Sequence, residues 1–207
     1  MQAGFARCYQ CDVASSEYRG LLADVVAPIG YAVKGGQLAT DLWRYKSGRE
    51  GAAEAGARLR SMLSGFLRDH ADCVWRAAGM TGDPAIAAVV PSGQGRPGPH
   101  PLLEIVRSCA GLPMTGLSIG PHGAARGRGV SVGWLRVREP VAGADVLLVD
   151  DTWVSGGSAQ SAAAALKLAG AGRVALVVFG RHVDPADPRS ADLLRALSFP
   201  GRHRPFG

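Results

Sequence analysis

Apolar residues along this chain recur in two different periods. In AIAAVV (85–90), VLLV (146–149) and RVALVVFG (173–180) they run together over strand length between turn-forming residues, the mark of strands buried on both faces. Elsewhere they return every three or four residues. Ala53, Ala57, Leu59, Met62, Leu63, Phe66 and Leu67 predict an amphipathic helix over about 50–67, and a shorter one is predicted over 37–43. LLEIVRSCAGL reads as a helix closed by Gly111, and the segment from Ser158 to Ala169 as another, stopped by Gly170 and Gly172. LPMTGLSI is a weak strand, and VSVGWLRV alternates as a half-buried one. Strands alternating with helices predict an α/β fold with a mainly parallel sheet covered on both faces, whose ligands sit beyond the carboxyl ends of the strands.

Gly35-Gly36 punctuates an N-terminal segment in which LLADVVAPIGYAV can form short strands. The organisation expected is a small N-terminal hood over residues 1–45, a core over 46–184, and a tail over 185–207 with a short helix in SADLLRAL. A chain of 207 residues suffices for one such domain, and 19% charged and 47% hydrophobic residues argue against disorder. No apolar run approaches the roughly 20 residues that cross a bilayer, and MQAGFARCYQC lacks a secretory apolar core, so a cytoplasmic protein without membrane partners is expected.

The net charge of +6 comes mostly from arginine; lysine occurs only at Lys34, Lys46 and Lys167. The arginines are scattered, which argues against a nucleic-acid footprint while leaving nucleic acid as an alternative partner. Cys8-x-x-Cys11 is half of a zinc ribbon whose second half is missing; His70 and Cys73 could complete it, although no spacing rule demands this.

The chemistry concentrates in VLLVDDTWVSGGS (146–158). Adjacent carboxylates at the end of a buried strand cost free energy through repulsion and desolvation, so they mark a site. After Asp150 and Asp151 the chain passes through Val154, Ser155, Gly156 and Gly157 to Ser158 at the start of a helix. Consecutive N–H groups, freed by two glycines to converge and backed by the positive end of the helix dipole, form a phosphate cradle. The lysine of a Walker A loop is absent. Carboxylates accept hydrogen bonds from vicinal hydroxyls, so phosphate donors and diol acceptors stand at the separation a ribose 5-phosphate needs. The glycines Gly93, Gly95 and Gly98 invite a dinucleotide reading, but Pro97, Pro99 and Pro101 prevent a helix from starting among them.

VLLVDDTWVSGGS resembles the phosphoribosyl pyrophosphate (PRPP) motif of the type I phosphoribosyltransferases. The resemblance implies that Asp150 and Asp151 bind the ribose hydroxyls, that Val154 to Ser158 wrap the 5-phosphate, and that Ser92 and Gly93 in VVPSGQG touch the diphosphate. It also implies Mg²⁺ held by substrate and water with help from Asp150 and Asp151, and a lid, GPHGAARGRG, bringing His122, Arg126 and Arg128 over the leaving pyrophosphate. One departure is chemical: Val154 stands where relatives carry threonine or an acid, and it can neither accept nor donate a proton.

Cys8-x-x-Cys11, LWRYKSGREGAAEAGARLRSML and VVPSGQGRP, in that order before the motif, resemble ComF-type proteins, although their second cysteine pair is missing. The activity implied is Mg²⁺-dependent transfer of 5-phosphoribosyl from PRPP to a small nitrogenous acceptor with release of pyrophosphate. The alternative is a non-catalytic PRPP-binding protein that assists DNA uptake or regulation. A homodimer is left open. Trp43, Tyr45 and Trp153 are candidates to stack on an acceptor or simply to pack.

Overall fold

The computed structural model describes residues 9–92, 100–120, 129–190 and 193–195. In chain order they form α1 (Tyr9–Glu17), β1 (Val25–Val33), α2 (Gln37–Arg44), α3 (Ala52–Ala78), β2 (Ile86–Val89), α4 (Pro101–Ala110), β3 (Met114–Thr115), β4 (Leu117–Ile119), β5 (Leu135–Val137), β6 (Val146–Trp153), α5 (Gly157–Leu168) and β7 (Val174–Val183), followed by a 3₁₀ turn at Pro188–Ser190. The fold is α/β, as expected. A five-stranded, wholly parallel sheet has the order β1-β7-β6-β2-β3, and β4 and β5 make a separate antiparallel ribbon.

The sheet is covered on both faces because its central strands are apolar throughout. Along β6, Leu147 and Val149 pack with α2, α3 and α4, whereas Val146 and Leu148 pack with α5 and the β4–β5 ribbon. On the α5 side the helix presents Ala159, Ala162, Ala163 and Ala165, small residues that let its backbone lie close to the strands. Among the described residues no helix is long and apolar enough to cross a membrane.

Several elements run differently from the periodicity. Helix α3 continues to Ala78, because Val74, Trp75 and Ala78 resume its buried face beyond the polar stretch at 68–70; Gly79, in the left-handed conformation, ends it. LPMTGLSI divides at Gly116 into β3 and β4, which belong to different sheets. The Glu139 carboxylate fixes the break by accepting hydrogen bonds from Thr115 Oγ1 at 3.0 Å and the Gly116 N–H at 2.6 Å. In VSVGWLRV only Leu135–Val137 is strand. Residues 25–33, assigned by sequence to the N-terminal segment, are β1, the edge strand paired with β7 along its length.

Strand β1 also shapes what covers it. Gly30 and Gly180 are direct partners on β1 and β7, leaving a bare patch in the sheet that α2 fills with Leu38 and Leu42. A Cβ on Gly180 would lie 2.7 Å from both Ala32 Cβ and Leu42 Cδ1. Replacing Gly180 with alanine is therefore expected to push α2 off the sheet and cost about 1–3 kcal/mol through overpacking. Urea denaturation of G180A against the parent chain measures the loss.

Candidate functional site

The two crossovers at the centre of the sheet leave in opposite directions. From β2 the chain passes through α4 to β3 on one side; from β6 it passes through α5 to β7 on the other. The carboxyl ends of β2 and β6 thus flank a topological switch point, the crevice where open parallel sheets bind ligands. Strand β6 also outruns its neighbour. Its pairing with β2 stops at Val149, whereas its pairing with β7 continues to Trp153. The expected strand of four residues is a strand of eight, and both aspartates lie within it.

Strand alternation sends Asp150 and Asp151 to opposite faces, so they do not form a side-by-side pair. Asp151 is 9% exposed on the α2 side, where its Oδ2 accepts hydrogen bonds from Tyr45 Oη and Lys46 Nζ, each at 2.7 Å. Burial alone would raise its pKa, but the Lys46 charge and the hydrogen bonds from Lys46, Tyr45 and Thr152 hold it below the usual carboxylate range. Asp150 makes no ion pair among the described residues. Its Oδ1 accepts the Asp151 N–H at 2.8 Å, and burial, aided by the neighbouring Asp151 charge, pushes its pKa up to about 8. Two adjacent carboxyls are thereby driven apart in proton affinity by their surroundings.

Beyond Trp153 the chain bends through Val154, Ser155 and Gly156 into α5. Gly156 has φ +79°, and a Cβ there would overlap the Trp153 ring, so only glycine makes this turn without strain. The N–H groups of the first turn of α5 have no acceptor within the helix and point toward the strand ends. Ser155 and Ser158 border this turn, with Ser158 exposed, while Gly156 and Gly157 are buried. Val154 is 70% exposed and apolar. The helix after β2 also starts at this end of the sheet: His100 caps α4 through Nδ1, which accepts the Leu102 N–H at 3.2 Å, and its ring lies 6.4 Å from that of Tyr45.

Ser92 lies three residues beyond the end of β2, on the side of the sheet where β2 pairs with β6. Gly93, His122, Arg126, Arg128 and Cys8 lie outside the described residues, as does the side chain of Cys11. The loop containing the two arginines joins β4 to β5, and its returning stem is tied to α5: the Ser131 N–H donates to Ser161 Oγ at 2.8 Å, and that hydroxyl donates to the Gly157 carbonyl at 2.7 Å. Among the described residues no group of three or more His, Cys, Asp or Glu side chains is gathered to hold a metal. His70 packs against Phe66, and Cys73 is exposed on α3.

Sequence reasoning did not assign Tyr45 and Lys46 to the acid pair, from which more than a hundred residues separate them. A signal was present in the rarity of lysine. All three lysines are in ion pairs with aspartates: Lys34 with Asp184, Lys46 with Asp151 and Lys167 with Asp24. Of the aromatic candidates, Tyr45 is buried against the site, Trp153 packs on the α5 side of the core, and Trp43 is 59% exposed.

No family model matches the sequence, and no curated protein matches it. Among solved structures, the chain is similar to adenine phosphoribosyltransferase from Leishmania tarentolae, with 16% identity over 84% of this chain and 86% of that one and a TM-score of 0.45. It is also similar to purine phosphoribosyltransferase from Pyrococcus horikoshii Ot3, with 14% identity over 63% and 88% of the two chains and a TM-score of 0.40. Similarity to phosphoribosylpyrophosphate synthetase from Mycobacterium smegmatis amounts to 24% identity over 64% of this chain, at a TM-score of 0.37; the chain spans 37% of that synthetase's length.

Proposed function

We propose that the chain binds PRPP across the β2–β6 crevice and transfers its 5-phosphoribosyl group to a nitrogenous acceptor. The observation that supports this most directly is the glycine bend that ends β6 at a helix N-terminus, three residues after an acid pair on the same strand. The bend and the first turn of α5, with Ser155 and Ser158, would hold the 5-phosphate. Asp150 and Asp151 would accept hydrogen bonds from the ribose hydroxyls, and Ser92 and Gly93 would meet the diphosphate. Arg126 and Arg128 would act on the departing pyrophosphate from the β4–β5 loop.

In the transfer, a lone pair on the acceptor nitrogen forms the bond to C1 as the C1–O bond breaks, and its electrons leave with pyrophosphate. Any proton on the nitrogen passes to water, because Val154 offers no acceptor. The carboxylates supply hard oxygen donors, which suits Mg²⁺, but with no cluster of three gathered among the described residues the ion would take its remaining ligands from substrate and water. When bound it would neutralise diphosphate charge. A second reading, PRPP binding without turnover in a ComF-like regulatory or DNA-uptake role, is favoured by one observation: Asp151 is already engaged by Lys46 and Tyr45.

Pyrophosphate release from PRPP and Mg²⁺ across a panel of nucleobases and small amines tests both readings. Turnover that falls about 10²–10³-fold in Asp151→Asn is expected, the usual cost of removing one preorganised polar group. Saturable PRPP binding without release would instead establish the second reading, and absence of PRPP binding would end both.

Asp150 makes a separate expectation. Its folded-state pKa near 8 lies above the ordinary 3.8, so from about pH 4 to 8 the folded chain holds a proton that the unfolded chain has lost. Its contribution is complete below the unfolded value and is lost as pH rises toward 8. Asp150→Asn should therefore match the parent in thermal stability near pH 4 and exceed it by a growing margin up to about pH 8, while weakening PRPP binding. Thermal melts across that range, paired with calorimetric titration of PRPP, read both effects.

A further inference from the structure

A cavity of about 490 Å³ opens beside Asp151, bounded by the ends of β1 and β7, by α2 and by Lys46 and Thr152. Its floor is apolar, with Ala32, Ala39 and Leu42, and the exposed ring of Trp43 forms a flat wall. Its charged lining has one sign. Lys34, Arg44 and Lys46 line it beside the His182 ring, and no carboxylate does.

Two of these cations have partners just outside the cavity. Lys34 Nζ is 3.0 Å from Asp184, and Lys46 Nζ is 2.7 Å from Asp151. The nearby Asp41 is itself held by Arg58, at 2.6 Å. Arg44 makes no ion pair among the described residues, so one guanidinium charge remains in excess at the wall. A guanidinium presents a planar fork that matches a carboxylate.

We infer that this cavity receives the second substrate and selects a small planar nitrogen heterocycle bearing one carboxylate, whose anionic group pairs with Arg44 while its ring lies against Trp43 and the apolar floor. The inference rests on the proposed transfer reaction for the cavity's role, but the anion preference stands on the lining alone. Lys46 and Thr152 link the cavity to Asp151, so a ring seated there adjoins the place assigned to the sugar.

Calorimetric titration of the full chain with nicotinate and orotate, against nicotinamide and uracil, tests the preference directly. The carboxylated member of each pair should bind at least ten-fold more tightly. Arg44→Gln should remove about ten- to hundred-fold of that affinity, and Arg44→Lys should restore part of it. Inorganic phosphate should compete weakly, since it lacks the ring. PRPP titrated into Arg44→Gln should bind as in the parent, and circular dichroism should show the same fold. Equal affinity within each pair, insensitivity to Arg44→Gln, or phosphate binding as tight as the carboxylated rings would overturn the inference. Failure of PRPP to bind the parent chain would remove the transfer reaction while leaving the carboxylate titrations to decide the cavity's selectivity.

Discussion

The site depends on a mismatch in length between neighbouring strands. Strand β6 is held by β2 only as far as Val149 and by β7 as far as Trp153, so its last four residues emerge from the sheet with one side paired and one side open. The crossovers diverge at this boundary. Polar groups at the strand end therefore meet solvent or ligand on the open side and protein on the other. Strand alternation then turns Asp151 to the α2 side, where it gains a lysine and a tyrosine, while its neighbour is left with a backbone N–H and a raised pKa.

A second constraint acts from the opposite edge. Two glycines paired across β1 and β7 let α2 settle on the sheet, and the chain leaving α2 then carries Tyr45 and Lys46 to Asp151. The same approach makes one wall of the cationic cavity. Acid pair and cavity are thus consequences of a single packing contact, with a charge arrangement graded from carboxylates at the crevice to guanidinium at the far wall. Burying Asp151 next to a cation avoids the full cost of an isolated charge, and the hydrogen bond from Tyr45 fixes the orientation of the carboxylate.

Much of the architecture was legible in the residues. The apolar runs Val146–Val149 of β6 and Val174–Gly180 of β7 are buried without interruption, and that requires a sheet covered on both faces. Gly111 and Gly170 marked helix ends because few other residues take the backbone turn found there. Ser155-Gly-Gly-Ser announced a strand-to-helix bend for the same local reason. Strand limits were less accessible. β6 continues past Val149 through Asp150, Asp151 and Thr152 because β7 offers it hydrogen-bond partners, a fact no window of polar residues contains.

Local sequence thus marked the central strands and helices α2 to α5, though not α1, together with the bend after β6 and the two carboxyls at one strand end, since each follows from side-chain period, backbone freedom or adjacency in the chain. Tertiary structure alone decided that β1 joins the main sheet, that Lys46 and Tyr45 stand beside Asp151, and that Arg44 lines the cavity nearby. Those outcomes rest on contacts between segments about 100 to 150 residues apart, aided by the bare patch at Gly30 and Gly180, and through-space charge and packing leave no periodic trace in the sequence.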